Sequence, residues 1–180
     1  EKINAGFSCI KLKIGAIDFD TEVSLLKSIR KEFSVSDIQL RVDANGAFRP
    51  SEALGKLNTL SQFGLHSIEQ PIKQGQFEDM ALLCEQTPLP IALDEELIGV
   101  FSVTDKVKLL QMINPQYIIL KPSLLGGFKE SEEFINEANK ILSSLGFKCA
   151  KDKKDFKVTV PTWRPDINLE EDLIEELIKF

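Results

Sequence analysis

Lys13, Asp43, Glu69, Asp94 and Lys121 are the residues whose types and spacing could do chemistry together. Each closes a short apolar run, and each follows the last by ~25–30 residues, the length of one strand–helix unit. Taken singly, an acidic residue at such a place is commonly a helix N-cap or a loop residue. Recurrence at five consecutive runs points instead to a shared site. Three carboxylates brought to one point repel, and at least one takes up a proton unless a cation neutralises them. An all-oxygen set suits a hard ion such as Mg²⁺, whereas Zn²⁺ prefers His and Cys. Lysines from strands on either side can flank a bound substrate. Metal with facing amines is an arrangement for removing a proton next to a carboxylate: the ion stabilises the enediolate and a lysine acts as base.

The elements that must position these groups are legible as alternating strands and helices. Strands are expected at 7–14, 38–44, 66–70, 91–95 and 117–121, as short buried-type apolar runs. Between them, residues 20–33 form a helical pattern with Val23, Leu25, Leu26, Ile29 and Phe33 on the apolar side, leaving Lys27, Arg30 and Lys31 to solvent. A second helix over 51–64 presents Ala53, Leu54, Leu57, Leu60 and Phe63. Shorter helices are expected over 77–87 and 103–113, and a fifth from near Lys129. Such alternation implies parallel βαβ units. Side-chain parity places Lys11 and Lys13 opposite Ile10, Leu12 and Ile14, places Arg41 and Asp43 opposite Leu40 and Val42, and sets Lys121 against Ile118 and Leu120. Ionisable groups then share an interior at the carboxyl ends of the strands, where (β/α) barrels build their sites. Asn45 could cap the turn after Asp43 or touch metal-bound groups. Glu95 and Glu96 are expected to be solvated or to lie just behind the site.

Composition excludes several other classes. With 43% hydrophobic and 28% charged residues, the chain has an ordinary globular balance. The net charge is −6 and no basic cluster exceeds the short KDKK turn, so nucleic acid is not an expected partner. No apolar run approaches a membrane span, and a reducing cytoplasm suits the three unpatterned cysteines, Cys9, Cys84 and Cys149. His66 is the only histidine, so a Ser-His-Asp or Cys-His arrangement would have to pass through it. A structural role is expected for it instead. The opening EKINAGFS reads as the middle of something longer.

The K-x-K pair of Lys11 and Lys13, the VDAN of Asp43, the IEQP of Glu69, the LDE of Asp94 and the ILKPSLLGG of Lys121 resemble the enolase superfamily in order and spacing. Within it, Lys121-Pro122-Ser123 followed by Gly126-Gly127 looks most like the o-succinylbenzoate synthase family of menaquinone biosynthesis. Dipeptide epimerases and muconate cycloisomerases share much of the rest. The resemblance covers residues 1–139. It implies that Asp43, Glu69 and Asp94 ligate Mg²⁺. It also makes Lys13 the base that takes the α-proton of a small cyclohexadiene carboxylate, then the acid that assists loss of hydroxide. Lys121 would face it, stabilising the intermediate by charge, and Lys11 and Arg41 would support the site electrostatically. By the same resemblance the Lys13 strand corresponds to the second barrel strand. A partial TIM-type barrel of about five βα units out of eight is therefore expected, without the family's capping domain and with open edges able to self-associate.

From about Lys140 the sequence changes character. The LSSLGF of a helix end, the VPTWRPDI of a loop and the DLIEE of a last helix resemble the B5 domain of the phenylalanyl-tRNA synthetase β subunit. A small α+β segment over 140–180 is expected, with strands at 147–150 and 156–160 and a final helix capped by Asn168. Those strands could pair beside Lys121. The resemblance implies a second Mg²⁺ site on Asp166, Asp172, Glu175 and Glu176, although acidic residues early in a helix also favour its dipole. It also implies a partner chain binding near Trp163 and Arg164. With the seam near 137–141 and no linker there, a chimera is expected. A non-catalytic scaffold and a subunit-interaction module stand beside the Mg²⁺-dependent lyase as readings.

Overall fold

The computed structural model describes residues 3, 6–124, 127, 129, 132, 136, 148–152 and 155–159. The chain divides into two compact units, Glu1–Glu96 and Leu97–Phe180.

In the first unit, strands and helices alternate: β1 Cys9–Lys13, α1 Phe19–Glu32, β2 Gln39–Asp43, α2 Pro50–Ser61, β3 Ser67–Glu69, α3 Phe77–Gln86 and β4 Ile91–Leu93. The strands lie side by side in chain order, and every pairing from β1 to β4 is parallel. This is the α/β arrangement expected of a partial (β/α) barrel. Leu40, Val42, Ile68, Ile91 and Leu93 are at most 1% exposed, and Leu26, Ala53, Leu57, Leu60 and Met80 bring the helices' apolar faces into the core.

Local chemistry sets the helix ends. Asp18 caps α1 by accepting from the Thr21 N–H at 3.1 Å. Asp20 and Glu22 lie in its first turn and Arg30 and Lys31 in its last, complementing the helix dipole. Pro50 opens α2, where it lacks only an N–H that would be unpaired anyway, and the Glu52 carboxylate accepts from the Arg49 N–H. Glu52 also pairs with Lys56 one turn on at 2.9 Å. The Lys56 ammonium lies 4.6 Å from the Phe48 ring centre, and Phe48 meets Phe19 edge-on at 6.1 Å.

The structure departs from expectation in several places. Leu25, expected on the apolar side of α1, is 54% exposed, while Glu22 is buried and accepts from the Gly15 N–H at 2.6 Å. Arg30 is not left to solvent. Its Nε donates to the Phe63 carbonyl at 2.7 Å, and its terminal nitrogens reach the carbonyls of Ser34, Ile38 and Gly64. Those carbonyls belong to the connections on either side of β2 and α2, so one fork ties two loops together. β3 and β4 are shorter than expected because Gln70 turns the chain to φ +39 and a 3₁₀ turn starts at Glu95.

The second unit contains α4 Val103–Ile113, β5 Tyr117–Ile118, a 3₁₀ turn Pro122–Leu124, and β6 Lys148–Asp152 with β7 Asp155–Thr159. α4 is capped by Ser102 and ends at Asn114 in the left-handed region, φ 52. β5 is shorter than the expected 117–121, so Leu120 and Lys121 lie beyond it. Pro122 has no N–H to extend a ladder further. β6 and β7 pair with each other, antiparallel from Lys148↔Thr159 to Asp152↔Asp155, in a two-stranded sheet of their own. Among the described residues the expected pairing of these segments beside Lys121 is therefore not formed. The expected fifth helix lies largely outside the described residues.

Two results are expected in unfolding experiments. Arg30→Met should lower stability by about 1–3 kcal/mol, read as a lower urea midpoint, because four carbonyls lose a shared donor. Cys84 is buried and its thiol is pushed up to about 12 by that burial. Maleimide labelling mapped by mass spectrometry should therefore modify exposed Cys9 in the native chain and Cys84 only after denaturation.

Candidate metal and proton-transfer site

The strand register builds the site. Lys13 is paired with Asp43 across β1 and β2, and Asp43 with Glu69 across β2 and β3. One rung of the sheet thus carries an ammonium and two carboxylates on adjacent strands, about 4.8 Å apart. The rung beneath holds Lys11, Arg41 and Ser67. β4 meets the upper rung at Ala92, so Asp94 stands two residues further along, immediately past the strand end.

Burial and charge are unevenly shared. Asp43, Glu69 and Asp94 are only 2–4% exposed, while the Lys11 and Lys13 side chains are 46% and 63% exposed. The Lys13 ammonium donates to Asp43 Oδ2 at 2.6 Å and also to Asn45 Oδ1. Lys11 donates to Glu69 Oε2 at 2.6 Å and to Asp43 Oδ2 at 3.3 Å, bridging the two acids. Burial alone would raise the Asp43 carboxyl. The Lys13 hydrogen bond and charge, the Asn45 N–H and the Lys11 charge outweigh it and hold Asp43 below the usual carboxylate range. For Lys11, burial works downward, but the Glu69 and Asp43 carboxylates leave its ammonium held above the ordinary lysine value.

The turn after β2 aims these groups. Asn45 takes φ +45, donates its backbone N–H to Asp43 Oδ1 at 3.1 Å, and passes its side-chain amide to Glu95 Oε1 at 2.8 Å. It therefore joins Lys13 to the β4 connection and does not merely cap the turn. Gly46 follows at φ +74, where a Cβ would stand 2.8 Å from the Lys73 Cα. Only glycine fits that approach.

Behind the carboxylates lies a second set of residues, of which pattern reasoning missed Gln70. Gln70 is fully buried at φ +39. Its Oε1 accepts from the Asp94 N–H at 3.3 Å, and its Nε2 donates to the Ile72 carbonyl and to Glu96 Oε1 at 3.0 and 3.2 Å. Glu96, expected to be solvated or just behind the site, is 4% exposed and also accepts from the Gly75 N–H. Burial pushes its carboxyl up, opposed by those two donors. A glutamine between an acid and a proline carries no signal of its own. The hint was the second glutamate after Asp94, one turn of 3₁₀ helix away from solvent.

Other expected residues fall elsewhere. Arg41 Nε donates to Gln39 Oε1 at 3.0 Å, one rung below the acids. Lys121 belongs to the second unit, just past β5, where its carbonyl accepts from the Leu124 N–H. His66 is half-buried beside the Ser67 hydroxyl, a structural place. Asp166, Asp172, Glu175 and Glu176, with Trp163 and Arg164, lie outside the described residues.

As the side chains stand, no three acidic, histidine or cysteine groups among the described residues gather closely enough to hold an ion. Lys11 occupies the space between Asp43 and Glu69 that a cation would share. The donor set nevertheless fits a hard divalent ion. Its members are carboxylate oxygens at consecutive strand ends, and Glu95 Oε2 beside them is buried without a hydrogen-bond partner.

Parallel strand–helix units in chain order, with acidic residues at successive strand ends, define an α/β fold of the kind from which (β/α) barrels are built. The model of the Enolase C-terminal domain-like family matches residues 1–150, and the chain belongs to that family. Among its relatives, o-succinylbenzoate synthase of Desulfotalea psychrophila is 56% identical over 146 residues, 81% of this chain and 39% of that protein. The crystal structure of MenC from the same organism matches with a TM-score of 0.72 and 54% identity, covering 77% of this chain and 38% of that one. L-Talarate dehydratase from Polaromonas, solved in complex with Mg and L-glucarate, matches with a TM-score of 0.67 and 25% identity, over 77% of this chain and 38% of that one. The chain thus spans about two fifths of the length of these relatives. The model of the tRNA synthetase B5 domain matches residues 121–180 and overlaps the first match. Among the described residues no helix is long and apolar enough to cross a membrane.

The turn geometry yields a stability test. Asn45→Ala should cost about 1–2 kcal/mol more than Asn45→Gly in urea unfolding, because only alanine resists the left-handed backbone while both lose the same amide.

Proposed function

We propose that this chain contributes the proton-transfer half of a Mg²⁺-dependent carbon–oxygen lyase of o-succinylbenzoate synthase type, acting on a small carboxylate. The rung joining Lys13, Asp43 and Glu69 carries this reading, because it sets an exposed amine beside two buried acids. The likeness to the Desulfotalea psychrophila enzyme supports the substrate class.

Asp43, Glu69 and Asp94 would hold Mg²⁺. When bound, the ion supplies positive charge to stabilise a substrate carboxylate as negative charge develops next to it. Lys13 does the proton work. Its exposed Nζ, tethered by Asp43 and Asn45, takes the α-proton when unprotonated and returns a proton to the departing hydroxide, so one group serves both steps. Lys11 neutralises Asp43 and Glu69 and moves out on its half-exposed stem when a metal takes that place. By the family resemblance Lys121 would stabilise the intermediate's charge, and Arg41 would add positive charge one rung below the acids.

Metal binding and turnover test the reading separately. The melting temperature should rise with Mg²⁺ in the unchanged chain and stay flat in Asp94→Asn, since a ligand that binds only the folded state stabilises it. With the cyclohexadiene substrate, Lys13→Ala should lose turnover by a factor of at least about 10² while keeping the Mg²⁺ response. A Mg²⁺ response shared by Asp94→Asn would end the metal assignment.

The match of residues 121–180 to the B5 domain favours a second reading, in which 140–180 is a chimeric addition serving as a subunit-interaction module. Asp166, Asp172, Glu175 and Glu176 would then hold a second Mg²⁺. Co-purification of a phenylalanyl-tRNA synthetase α subunit, lost on Trp163→Ala, is the result that reading requires.

A further inference from the structure

We infer that Gln70, braced by Glu96, is the positioning residue that holds the three carboxylate-bearing strand ends in one arrangement; this rests on the proposed metal reading.

The connections of Gln70 reach every strand end that carries an acid. Its carbonyl accepts from the Gly46 N–H at 2.7 Å, which fixes the turn after Asp43. Its own N–H donates to the Ala92 carbonyl at 2.9 Å, and its Oε1 accepts from the Asp94 N–H at 3.3 Å, which fixes the end of β4. It directly follows Glu69 on β3. One residue thus spans the second, third and fourth strands at the level where Asp43, Glu69 and Asp94 end.

The side chain has no freedom to do anything else. Nε2 donates to the Ile72 carbonyl and to Glu96 Oε1, and Glu96 also binds the Gly75 N–H at 3.0 Å. Every polar atom of the buried amide is used. The backbone stands at φ +39, a conformation that costs a non-glycine residue energy and persists only where the surroundings impose it. For backbone folding alone, a glycine would serve with less strain. Retaining a glutamine there makes sense if its amide must reach Asp94 and Glu96. Supports of this kind behind metal ligands change metal affinity by about 10–100-fold.

The test is a calorimetric Mg²⁺ titration of the chain, of Gln70→Leu, and of the exchanged pair Gln70→Glu with Glu96→Gln, with urea midpoints measured alongside. The exchange keeps an acceptor for the Asp94 N–H and an amide–carboxylate contact between the two positions, and gives up only the donor to the Ile72 carbonyl. Gln70→Leu should bind Mg²⁺ about 10–100-fold more weakly than the unchanged chain, and the exchanged pair should recover most of that loss. A lower urea midpoint with unchanged Mg²⁺ affinity would show a purely structural residue and overturn the inference. If Gln70→Leu does not fold, the exchanged pair decides: near-native affinity supports the role, and lost affinity in a folded protein overturns it. Absence of Mg²⁺ binding by the unchanged chain would remove the metal reading itself, and the positioning role with it.

Discussion

Three carboxylates buried side by side at the ends of parallel strands are the constraint around which the first unit is organised. Removed from water, such groups drive one another toward protonation unless positive charge or hydrogen-bond donors are fixed beside them. The chain meets this with donors of two kinds. Lys11 and Lys13 come up from β1 on flexible stems, with their ammonium groups on Asp43 and Glu69. Backbone N–H groups come from the turns, as where Asn45 donates to Asp43. The mobile donors can yield to an incoming cation, whereas the fixed ones cannot. That division is what the proposed Mg²⁺ site would require in order to remain folded both with and without an ion.

The fixed donors depend on local strain. Asn45, two residues after Asp43, and Gln70, directly after Glu69, both take positive φ at the ends of β2 and β3. In each case the reversal turns a side-chain amide back across the strand ends, Asn45 toward Lys13 and Glu95, and Gln70 toward Asp94 and Glu96. Strained conformations of this kind cluster where function over-determines the backbone. The apolar layer beneath, Leu40, Val42, Ile68 and Ile91, supplies the rigidity against which the strain is held. Packing and chemistry are separated by parity: alternate residues of β2 face the core, and the others face the site.

This separation explains what could be read from the chain itself. Strand–helix alternation, the parallel order and the convergence of Lys13, Asp43 and Glu69 follow from a two-residue period repeated at regular intervals, so spacing and parity suffice to find them. The positions that escaped are those where a long polar side chain chose between solvent and a partner distant in sequence. Arg30 looked like a solvated helix residue, yet it clamps carbonyls in two loops. Glu96 could be read as solvated or as lying just behind the site, and the second holds: it is closed in by Gln70 and Gly75. Glu22, too, is drawn inward by a single backbone N–H at Gly15. Periodicity carries no information about such choices, because the hydrogen-bond partner lies on another element.

The same reasoning bears on the two matched families. The Enolase C-terminal domain-like match runs to residue 150 and the B5 match begins at 121, so both include the stretch after Lys121. The hairpin of β6 and β7 pairs with itself from Lys148↔Thr159 to Asp152↔Asp155, in a sheet separate from β5. The rung of Lys13, Asp43 and Glu69 makes the opposite demand, since its members come from three strands and meet only through their register. Long-range register is much harder to satisfy by accident than local pattern. The proposed chemistry therefore rests on the first unit, where it would depend on strands meeting in one alignment.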